Sequence, residues 1–435
     1  MLLQVPAGVY RRGMRARARV LAAGGLPLVL ALAAWGLAAP VALAQATCTF
    51  EAGTATVQVT LAAGAAATIS RVGDAIAVDG TPCDAATVTN TDTVQVTGSG
   101  SEDDLTIDLS GGPFAPGKSA EGDGGEAEIE LAIDLSGGGV LTIAGSSGAD
   151  ALTLGSGGAN LNADEAVGDA DVTLSGPAGW QLSGRQGADA LKLSGGDGTG
   201  AAVTGQTALG GTGDDRILAG AGGATLDGGG GTDTVSYAGS AVPVRADLAK
   251  GTARREGLAT DALAGFEDLV GSAKADVLVG DAGANRLEGG RGRDRLVASK
   301  GDDVLKGGLG RDVLDLRQAK VPATVNLGAG TASGLGKDTL IGIEDAIGSD
   351  RHDVLIGSAG RNELIGRAGA DEIRGGAGRD HLVGGLGNDD LEGGEDADTL
   401  EGGKGRDQLN GGDGRDTCVP GPDPDAWTSC EVVKL

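Results

Sequence analysis

A large aliphatic residue recurs every nine positions through the second half of the chain. Small or polar residues flank it, and six residues rich in glycine and aspartate separate one such triplet from the next. A central apolar side chain in each triplet predicts a short β-strand with one side chain pointing inward. A strict nine-residue period predicts stacked, equivalent units. The aliphatic positions are Ile217, Leu226, Val235, Leu278, Leu287, Leu296, Leu305, Leu314, Leu355, Leu364, Ile373, Leu382, Leu391, Leu400 and Leu409, followed by Cys418.

The complete unit reads G-G-x-G-x-D-x-U-x, where U is the aliphatic residue. Units that keep all four Gly and Asp positions begin at Gly210, Gly228, Gly289, Gly307, Gly375, Gly384, Gly402 and Gly411. Units that keep the frame with substitutions begin at Ala219, Gly271, Gly280, Ala298, Gly348, Gly357, Gly366 and Gly393. Together they form three runs, 210–236, 271–315 and 348–419, where we expect regular stacking.

The six residues before each strand have the composition of a turn that binds a cation. Glycine tolerates positive φ, which lets backbone carbonyl groups converge. Two units complete one coil of 18 residues, so each turn lies about 4.8 Å from the turn two units away. The Asp side chains and the carbonyl groups between them can then form a cage of oxygen atoms. Such a flexible oxygen cage favours Ca²⁺ over Mg²⁺.

This repeat resembles that of secreted RTX-type calcium-binding proteins, and the resemblance covers residues 210–419. It implies an all-β fold, a parallel β-roll or β-solenoid of nonapeptide repeats, with Ca²⁺ as the cofactor. It also implies that Asp residues 18 positions apart are paired ligands. The implied ligands are Asp215, Asp233, Asp276, Asp294, Asp303, Asp312, Asp353, Asp371, Asp380, Asp389, Asp398, Asp407 and Asp416.

The resemblance places these ligands in pairs on successive coils. The pairs with two carboxylates are Asp215/Asp233, Asp276/Asp294, Asp294/Asp312, Asp353/Asp371, Asp371/Asp389, Asp380/Asp398, Asp389/Asp407 and Asp398/Asp416. We expect weaker binding at Asn285/Asp303 and Asn362/Asp380, because Asn carries no charge. Ala224 interrupts its turn, where we expect no calcium.

The part of the chain before the repeats, residues 45–205, predicts an irregular β-rich N-terminal domain, as a solenoid or a sandwich. It is rich in Ala, Gly, Thr and Val, with short alternating runs between Gly turns. These runs include Ala55–Leu61, Asp104–Leu109, Ile129–Leu135 and Val140–Ile143. Residues 145–153 and 184–192 look like degenerate units, but Asp150 and Asp189 lack an Asp of another repeat unit 18 positions away. We therefore assign no calcium to them.

Two non-repeat segments interrupt the roll, which we place at residues 206–419. The inserts, 237–270 and 316–347, match each other, since both contain a G-T-A triplet and end in an E-D block followed by G-S. We therefore expect a duplicated larger unit in which the inserts are longer coils that continue the stack. Residues 420–435 are expected to form a C-terminal cap.

The first 44 residues predict a secretory signal peptide. Five Arg precede an apolar stretch from Val20 to Leu37, and Ala42-Leu43-Ala44 provides a cleavage site. A signal anchor is the alternative, because the apolar stretch approaches spanning length, but Gly24, Gly25 and Pro27 interrupt it. We therefore expect a secreted, extracellular chain without a transmembrane anchor. Export by the Sec and by the twin-arginine route both remain open.

The four cysteines, Cys48, Cys83, Cys418 and Cys430, read as two disulfides in an exported chain. Proximity in the sequence favours Cys48–Cys83 and Cys418–Cys430. The second pair would close the end of the repeat stack, where an exposed strand edge needs protection.

Charge and composition narrow the function. The net charge of −27 argues against nucleic acid and anionic membranes as partners, whereas calcium ions fit. With two His and neither H-E-x-x-H nor G-x-S-x-G, the chain does not read as an enzyme. We expect a secreted calcium-binding repeat protein with a structural or interaction role and an unknown cell-surface or matrix partner. The alternatives are a calcium-stiffened adhesin or matrix protein and, less favoured, an extracellular hydrolase with RTX repeats.

Overall fold

The computed structural model describes residues 46–98, 100, 102–114, 129–135, 137–155, 158–161, 172–175, 179–194 and 205–434. The signal peptide expected over residues 1–44 lies outside the described residues. Within them the secondary structure is β, apart from one turn of 3-10 helix at Leu109–Gly111. No helix in the described part of the chain is long and apolar enough to cross a membrane.

The region before the repeats contains fourteen described strands. They are β1 Ala46–Glu51, β2 Thr56–Leu61, β3 Ala66–Val72, β4 Ala75–Val78, β5 Thr81–Thr87, β6 Thr93–Gly98, β7 Asp104–Asp108, β8 Glu130–Asp134, β9 Val140–Ala144, β10 Ala151–Gly155, β11 Gly158–Asn160, β12 Val172–Ser175, β13 Gly179–Gln186 and β14 Ala190–Lys192. The four alternating runs singled out in the sequence correspond to β2, β7, β8 and β9, which confirms a β-rich region.

The repeat region adds a short strand with each unit. Its first part contains β15 Thr207–Thr212, β16 Arg216–Leu218, β17 Thr225–Gly230, β18 Thr234–Ser236, β19 Val244–Asp247, β20 Thr252–Arg255, β21 Asp261–Ala264, β22 Asp268–Val270, β23 Val277–Val279, β24 Arg286–Gly292, β25 Arg295–Val297, β26 Val304–Gly310 and β27 Val313–Asp315. Its second part contains β28 Thr324–Asn326, β29 Thr331–Ser333, β30 Lys337–Ile341, β31 Asp345–Ile347, β32 Val354–Ile356, β33 Glu363–Ala368, β34 Glu372–Gly376, β35 His381–Leu386, β36 Asp390–Glu395, β37 Thr399–Lys404, β38 Gln408–Asp413, β39 Thr417–Val419, β40 Ala426–Thr428 and β41 Val432–Val433.

The strands form two long sheets, and successive strands of the repeat units alternate between them. In sheet A the neighbours run β1-β2-β6-β8-β12-β11-β10-β14-β16-β18-β22-β24-β26-β30-β29-β28-β32-β34-β36-β38-β40. In sheet B they run β5-β4-β3-β7-β9-β13-β15-β17-β21-β20-β19-β23-β25-β27-β31-β33-β35-β37-β39-β41. The predicted parallel β-roll is therefore confirmed, and the same two sheets extend through the region that precedes it.

Within the repeats each strand pairs in parallel with the strand 18 residues away. Leu391 lies beside Leu409 in sheet A, and Leu382 lies beside Leu400 in sheet B. The predicted aliphatic column is completely or almost completely buried, from Ile217 to Leu409. Each buried Leu stabilises the fold by about 1.5–3 kcal/mol. One narrow apolar layer between the sheets thus holds the stack together.

The inserts continue the stack, as expected, but by antiparallel pairing. The first insert adds the meander β19–β20–β21 to sheet B, and the second adds β28–β29–β30 to sheet A. Strands β10, β11 and β12 form a third meander, in sheet A before the repeats. Each meander adds strands to one sheet, while the strands of the other sheet remain paired in parallel. The turns after a meander therefore stack on the turns before it.

A disulfide closes each end of the stack, and both predicted pairings are confirmed. Cys48–Cys83 joins β1, the first strand of sheet A, to β5, the first strand of sheet B. Cys418–Cys430 joins β39 to the segment between β40 and β41. Strands β1, β5, β40 and β41 are the edges of the two sheets, where unpaired backbone groups invite pairing with other chains.

Candidate metal centres in the repeat turns

The Asp residue of every repeat unit lies immediately before a strand, in one of two columns of turns. All thirteen Asp residues implied as ligands are buried, none more than 3% exposed. The column that leads into sheet A includes Asp371, Asp389 and Asp407, and the column that leads into sheet B includes Asp380 and Asp398. We call these columns carboxylate ladder A and carboxylate ladder B.

The structure brings every predicted pair together. In each of the eight pairs with two carboxylates, Oδ1 of the later Asp accepts a hydrogen bond of 2.7–2.9 Å from the backbone N–H of the earlier Asp. Asn285 and Asn362 donate their backbone N–H groups to Asp303 and Asp380 in the same way. One carboxylate oxygen per Asp thus fixes the stacking, and the other oxygen is left for a different role.

In ten of the thirteen residues this other oxygen, Oδ2, is buried and has no hydrogen-bond partner. These are Asp215, Asp233, Asp294, Asp312, Asp371, Asp380, Asp389, Asp398, Asp407 and Asp416. An unpaired buried carboxylate oxygen costs several kcal/mol unless a cation or proton compensates it. The ten atoms are therefore the primary candidates for metal ligands.

The space beside each Oδ2 exists because the unit begins with glycine. A methyl group on Gly384 would lie 2.5 Å from Oδ2 of Asp389 and 2.7 Å from the carbonyl oxygen of Gly402. Gly375 shows the same arrangement, with 2.5 Å to Oδ2 of Asp380 and 2.5 Å to the carbonyl oxygen of Gly393. Carboxylate and carbonyl oxygens therefore converge on one small space in each turn.

Three predicted ligands differ, because a serine of their own turn satisfies Oδ2. The Ser272 backbone N–H donates to Oδ2 of Asp276, and the Ser272 hydroxyl donates to Oδ1. Asp353 has the same two contacts with Ser349. Asp303 receives both through Oδ2, from the N–H and hydroxyl of Ser299. The serine occupies the second position of the unit, where complete units have glycine.

Burial raises the pKa of several of the unpaired carboxyls into the neutral range. The pKa values of Asp294, Asp371 and Asp398 rise to about 7, and those of Asp233 and Asp389 rise to about 6. Desolvation is the main cause, and neighbouring carboxylates add to it, while the backbone hydrogen bond works in the opposite direction. At neutral pH these groups are thus poised to take up a proton or a cation.

Several ladder members were not predicted from the sequence. Asp189, Asp338 and Asp425 also have a buried, unpaired Oδ2. Their Oδ1 atoms accept the backbone N–H groups of Asp150, Asp303 and Asp407. The Asp407–Asp425 spacing of 18 residues could have been read from the sequence. The other two connections span 39 and 35 residues, because a meander intervenes.

Glutamate takes over the stacking role in three places. The carboxylates of Glu267, Glu344 and Glu431 accept the backbone N–H groups of Asp233, Asp312 and Asp416. All three follow segments that lack the full nonapeptide, and the longer side chain bridges the change in backbone path.

In the first insert a guanidinium group occupies the place beside the ladder carboxylate. Oδ1 of Asp261 accepts the backbone N–H of Ala224, and Oδ2 accepts Arg255 at 2.8 Å and the Tyr237 hydroxyl at 3.2 Å. Arg255 also donates to the carbonyl oxygen of Gly220 at 2.6 Å. Arg255, Asp261 and Tyr237 are all buried. This turn is therefore neutralised by the protein itself, which fits the expectation of no calcium at Ala224.

The donor set suits a hard cation. Among the described residues, no group of three or more His, Cys, Asp or Glu side chains gathers at one point. Each candidate centre instead combines Asp carboxylate oxygens with backbone carbonyl oxygens, and such neutral and anionic oxygens are the ligands that Ca²⁺ accepts in flexible geometry. His352 and His381 take no part, since His381 contacts Glu401 on the outer face.

The fold and these turns define a parallel β-roll with two columns of turns in which buried carboxylate and carbonyl oxygens converge. A family comparison agrees: residues 207–239, 261–296, 289–318, 347–382 and 383–418 match the RTX calcium-binding nonapeptide repeat. The repeat region therefore belongs to the RTX calcium-binding repeats. A search of curated proteins gave no match.

Proposed function

We propose that this is an exported protein whose β-roll folds on binding calcium and then serves a structural or interaction role outside the cell. The observation that carries the proposal is the series of buried Oδ2 atoms without partners in the two ladders. Calcium would be held by these atoms and by carbonyl oxygens such as that of Gly402, and it would neutralise like charges stacked one coil apart.

The energy of binding is large enough to control folding. A site with a Kd of about 10⁻⁴ M at about millimolar calcium stabilises the fold by about 1.4 kcal/mol. Ten such sites would contribute roughly 14 kcal/mol, which is comparable to the stability of a whole domain. Millimolar calcium is typical of the extracellular space, and the predicted signal peptide and the two disulfides support the same location. The RTX repeats are not catalytic, and we propose that the whole chain is not an enzyme either.

Far-UV circular dichroism of the mature chain, with calcium and with chelator at pH 8, tests the proposal. We expect the β spectrum to weaken strongly in chelator and to return cooperatively on addition of calcium. An unchanged β spectrum in chelator, together with no bound calcium by calorimetry, would overturn it.

A calcium-stiffened adhesin is the second candidate, and a cationic groove favours it. On the outer face of sheet B, Arg245, Lys250, Arg295, Arg317 and Arg367 line a groove with an apolar floor of valines. The groove has five cations against two acidic side chains, Asp247 and Asp315, which pair with Lys250 and with Arg295 and Arg317. This excess of cations stands out in a chain of net charge −27. Guanidinium groups bind carboxylate and sulfate groups in bidentate fashion, so the groove suits an acidic polysaccharide of a cell surface or matrix.

Binding of the calcium-loaded chain to an acidic and to a neutral polysaccharide tests this candidate. We expect the Arg245→Ser/Lys250→Ser double variant to lose retention on the acidic polymer. The matched control is Arg406→Ser/Arg415→Ser, which removes two exposed cations outside the groove. Equal retention of all three proteins would contradict a role for the groove.

A further inference from the structure

We propose that calcium also binds outside the segments that match the repeat family, and Asp189 and Asp338 are the two such sites that have a contrasting turn in this structure. This inference rests on the proposed function and adds a rule to it. The hydrogen-bonding state of Oδ2, rather than the nonapeptide pattern, determines which turns bind an ion.

The Asp189 turn has the same construction as the repeat turns. Asp189 is 2% exposed, and its Oδ2 has no partner. A methyl group on Gly184 would clash with this Oδ2 and with the carbonyl oxygen of Gly210. Asp189 donates its backbone N–H to Oδ1 of Asp215 at 2.8 Å, so it stacks directly below the first complete repeat. The two residues are 26 positions apart, so a period of 18 does not predict this pairing.

The neighbouring turn at Asp150 provides the contrast. Its Oδ2 accepts the backbone N–H of Ser146 at 2.7 Å and the Ser146 hydroxyl at 3.2 Å. Asp150 and Asp189 are adjacent members of ladder A, but only Asp189 has an unpaired oxygen. The ion series should therefore begin at Asp189 and not at Asp150.

The two inserts provide a second contrast. Asp261 and Asp338 occupy equivalent positions at the ends of the meanders. Oδ1 of Asp261 accepts the backbone N–H of Ala224, and Oδ1 of Asp338 accepts that of Asp303. In the first insert Arg255 satisfies Oδ2 of Asp261. In the second insert the alignment of the two segments places Gly334 opposite Arg255, and Oδ2 of Asp338 is buried without a partner. An ion at Asp338 would supply the positive charge that Arg255 supplies at Asp261.

Native mass spectrometry of the full mature chain in calcium counts the bound ions directly. We expect Asp189→Asn and Asp338→Asn each to bind one ion fewer than the parent chain, because Asn retains an Oδ1 acceptor for stacking and removes the charge. Asp150→Asn is the matched control and should bind the full number. Circular dichroism in calcium shows whether each variant is folded.

Hydrogen exchange of the parent chain keeps the test independent of the variants. Amides of residues 184–192 and 334–341 should gain protection as calcium is added, in step with the repeat turns. If the parent binds calcium but both Asn variants keep the full ion count, this inference is wrong and the proposed function stands. If the parent binds no calcium, the proposed function itself fails.

Discussion

Asp389→Asn should stabilise the calcium-free roll and weaken the calcium-bound one at the same position. Asp389 is 2% exposed, and its Oδ2 has no partner. Burial raises its pKa from 3.8 to about 6. Keeping it ionised at pH 8 without calcium therefore costs about 3 kcal/mol, because each pKa unit corresponds to about 1.4 kcal/mol. Asn removes this cost, and Asn285 and Asn362 show that an amide finds hydrogen bonds in such turns.

The sign of the effect depends on pH and on calcium. The folded state holds its proton up to about pH 6 and the unfolded state only up to about pH 4, so the cost is absent below about pH 4 and complete above about pH 6. With millimolar calcium, Asp389→Asn should instead lower the free energy of unfolding. The loss should be about 1.4 kcal/mol for each calcium ion that residue 389 no longer helps to bind.

Urea unfolding of the full mature chain, followed by circular dichroism, measures both effects. At pH 8 in chelator, Asp389→Asn should raise the urea midpoint, and with calcium it should lower it. Asp353→Asn is the control, because Ser349 already satisfies the Asp353 carboxylate, so no gain in chelator is expected. If Asp389→Asn lowered the midpoint equally in both conditions, Oδ2 of Asp389 would not be an uncompensated charge.

Two further predictions concern the same turns. In chelator, acidification from pH 8 to pH 5 should increase β structure, as circular dichroism at both pH values will show. The reason is that Asp294, Asp371 and Asp398 have pKa values raised to about 7, so these buried carboxyls take up protons. Gly384→Ala should abolish ion binding in its turn and cost about 1–3 kcal/mol, since the methyl group would fill the space beside Asp389. Gly230→Ala, whose methyl group would meet no atom within 4 Å, should leave the calcium titration unchanged.

The nine-residue period was sufficient to predict the roll, its buried column and the stacking of Asp residues. Leu391 and Leu409 had to be neighbours once the period was 18 residues per coil. The local period could not show which carboxylates the protein satisfies by itself. Ser272 and Ser349 differ from glycine by one side chain, but their hydrogen bonds become visible only when the turn is built.

The remaining ladder contacts could not be predicted from the sequence, because long connections separate the paired residues. The partner of Asp189 lies 26 residues away and that of Asp303 lies 35 residues away. Antiparallel meanders account for this spacing where β29 and β30 fold back on β28. Hydrophobic periodicity cannot specify how far a chain travels before it returns to the same column. The cationic groove could not be predicted for the same reason. Arg245 and Arg367 are far apart in the sequence, and they line one groove only because the coils stack.

Arg255 offers the most direct test of the idea that a guanidinium group replaces an ion in this roll. Arg255→Gly would give the first insert the residue that the second insert has, Gly334, and would leave the buried Asp261 carboxylate without its counter-ion, with the Tyr237 hydroxyl still donating to Oδ2. Breaking a buried ion pair costs about 3–5 kcal/mol. The free energy of unfolding in chelator should therefore fall by that amount. Added calcium should recover part of the loss, with one more ion bound than in the parent chain. Arg254→Gly, at the exposed neighbouring position, should change neither quantity. A loss that calcium does not reduce would mean that the Asp261 turn is an ion pair without the capacity to become a calcium site.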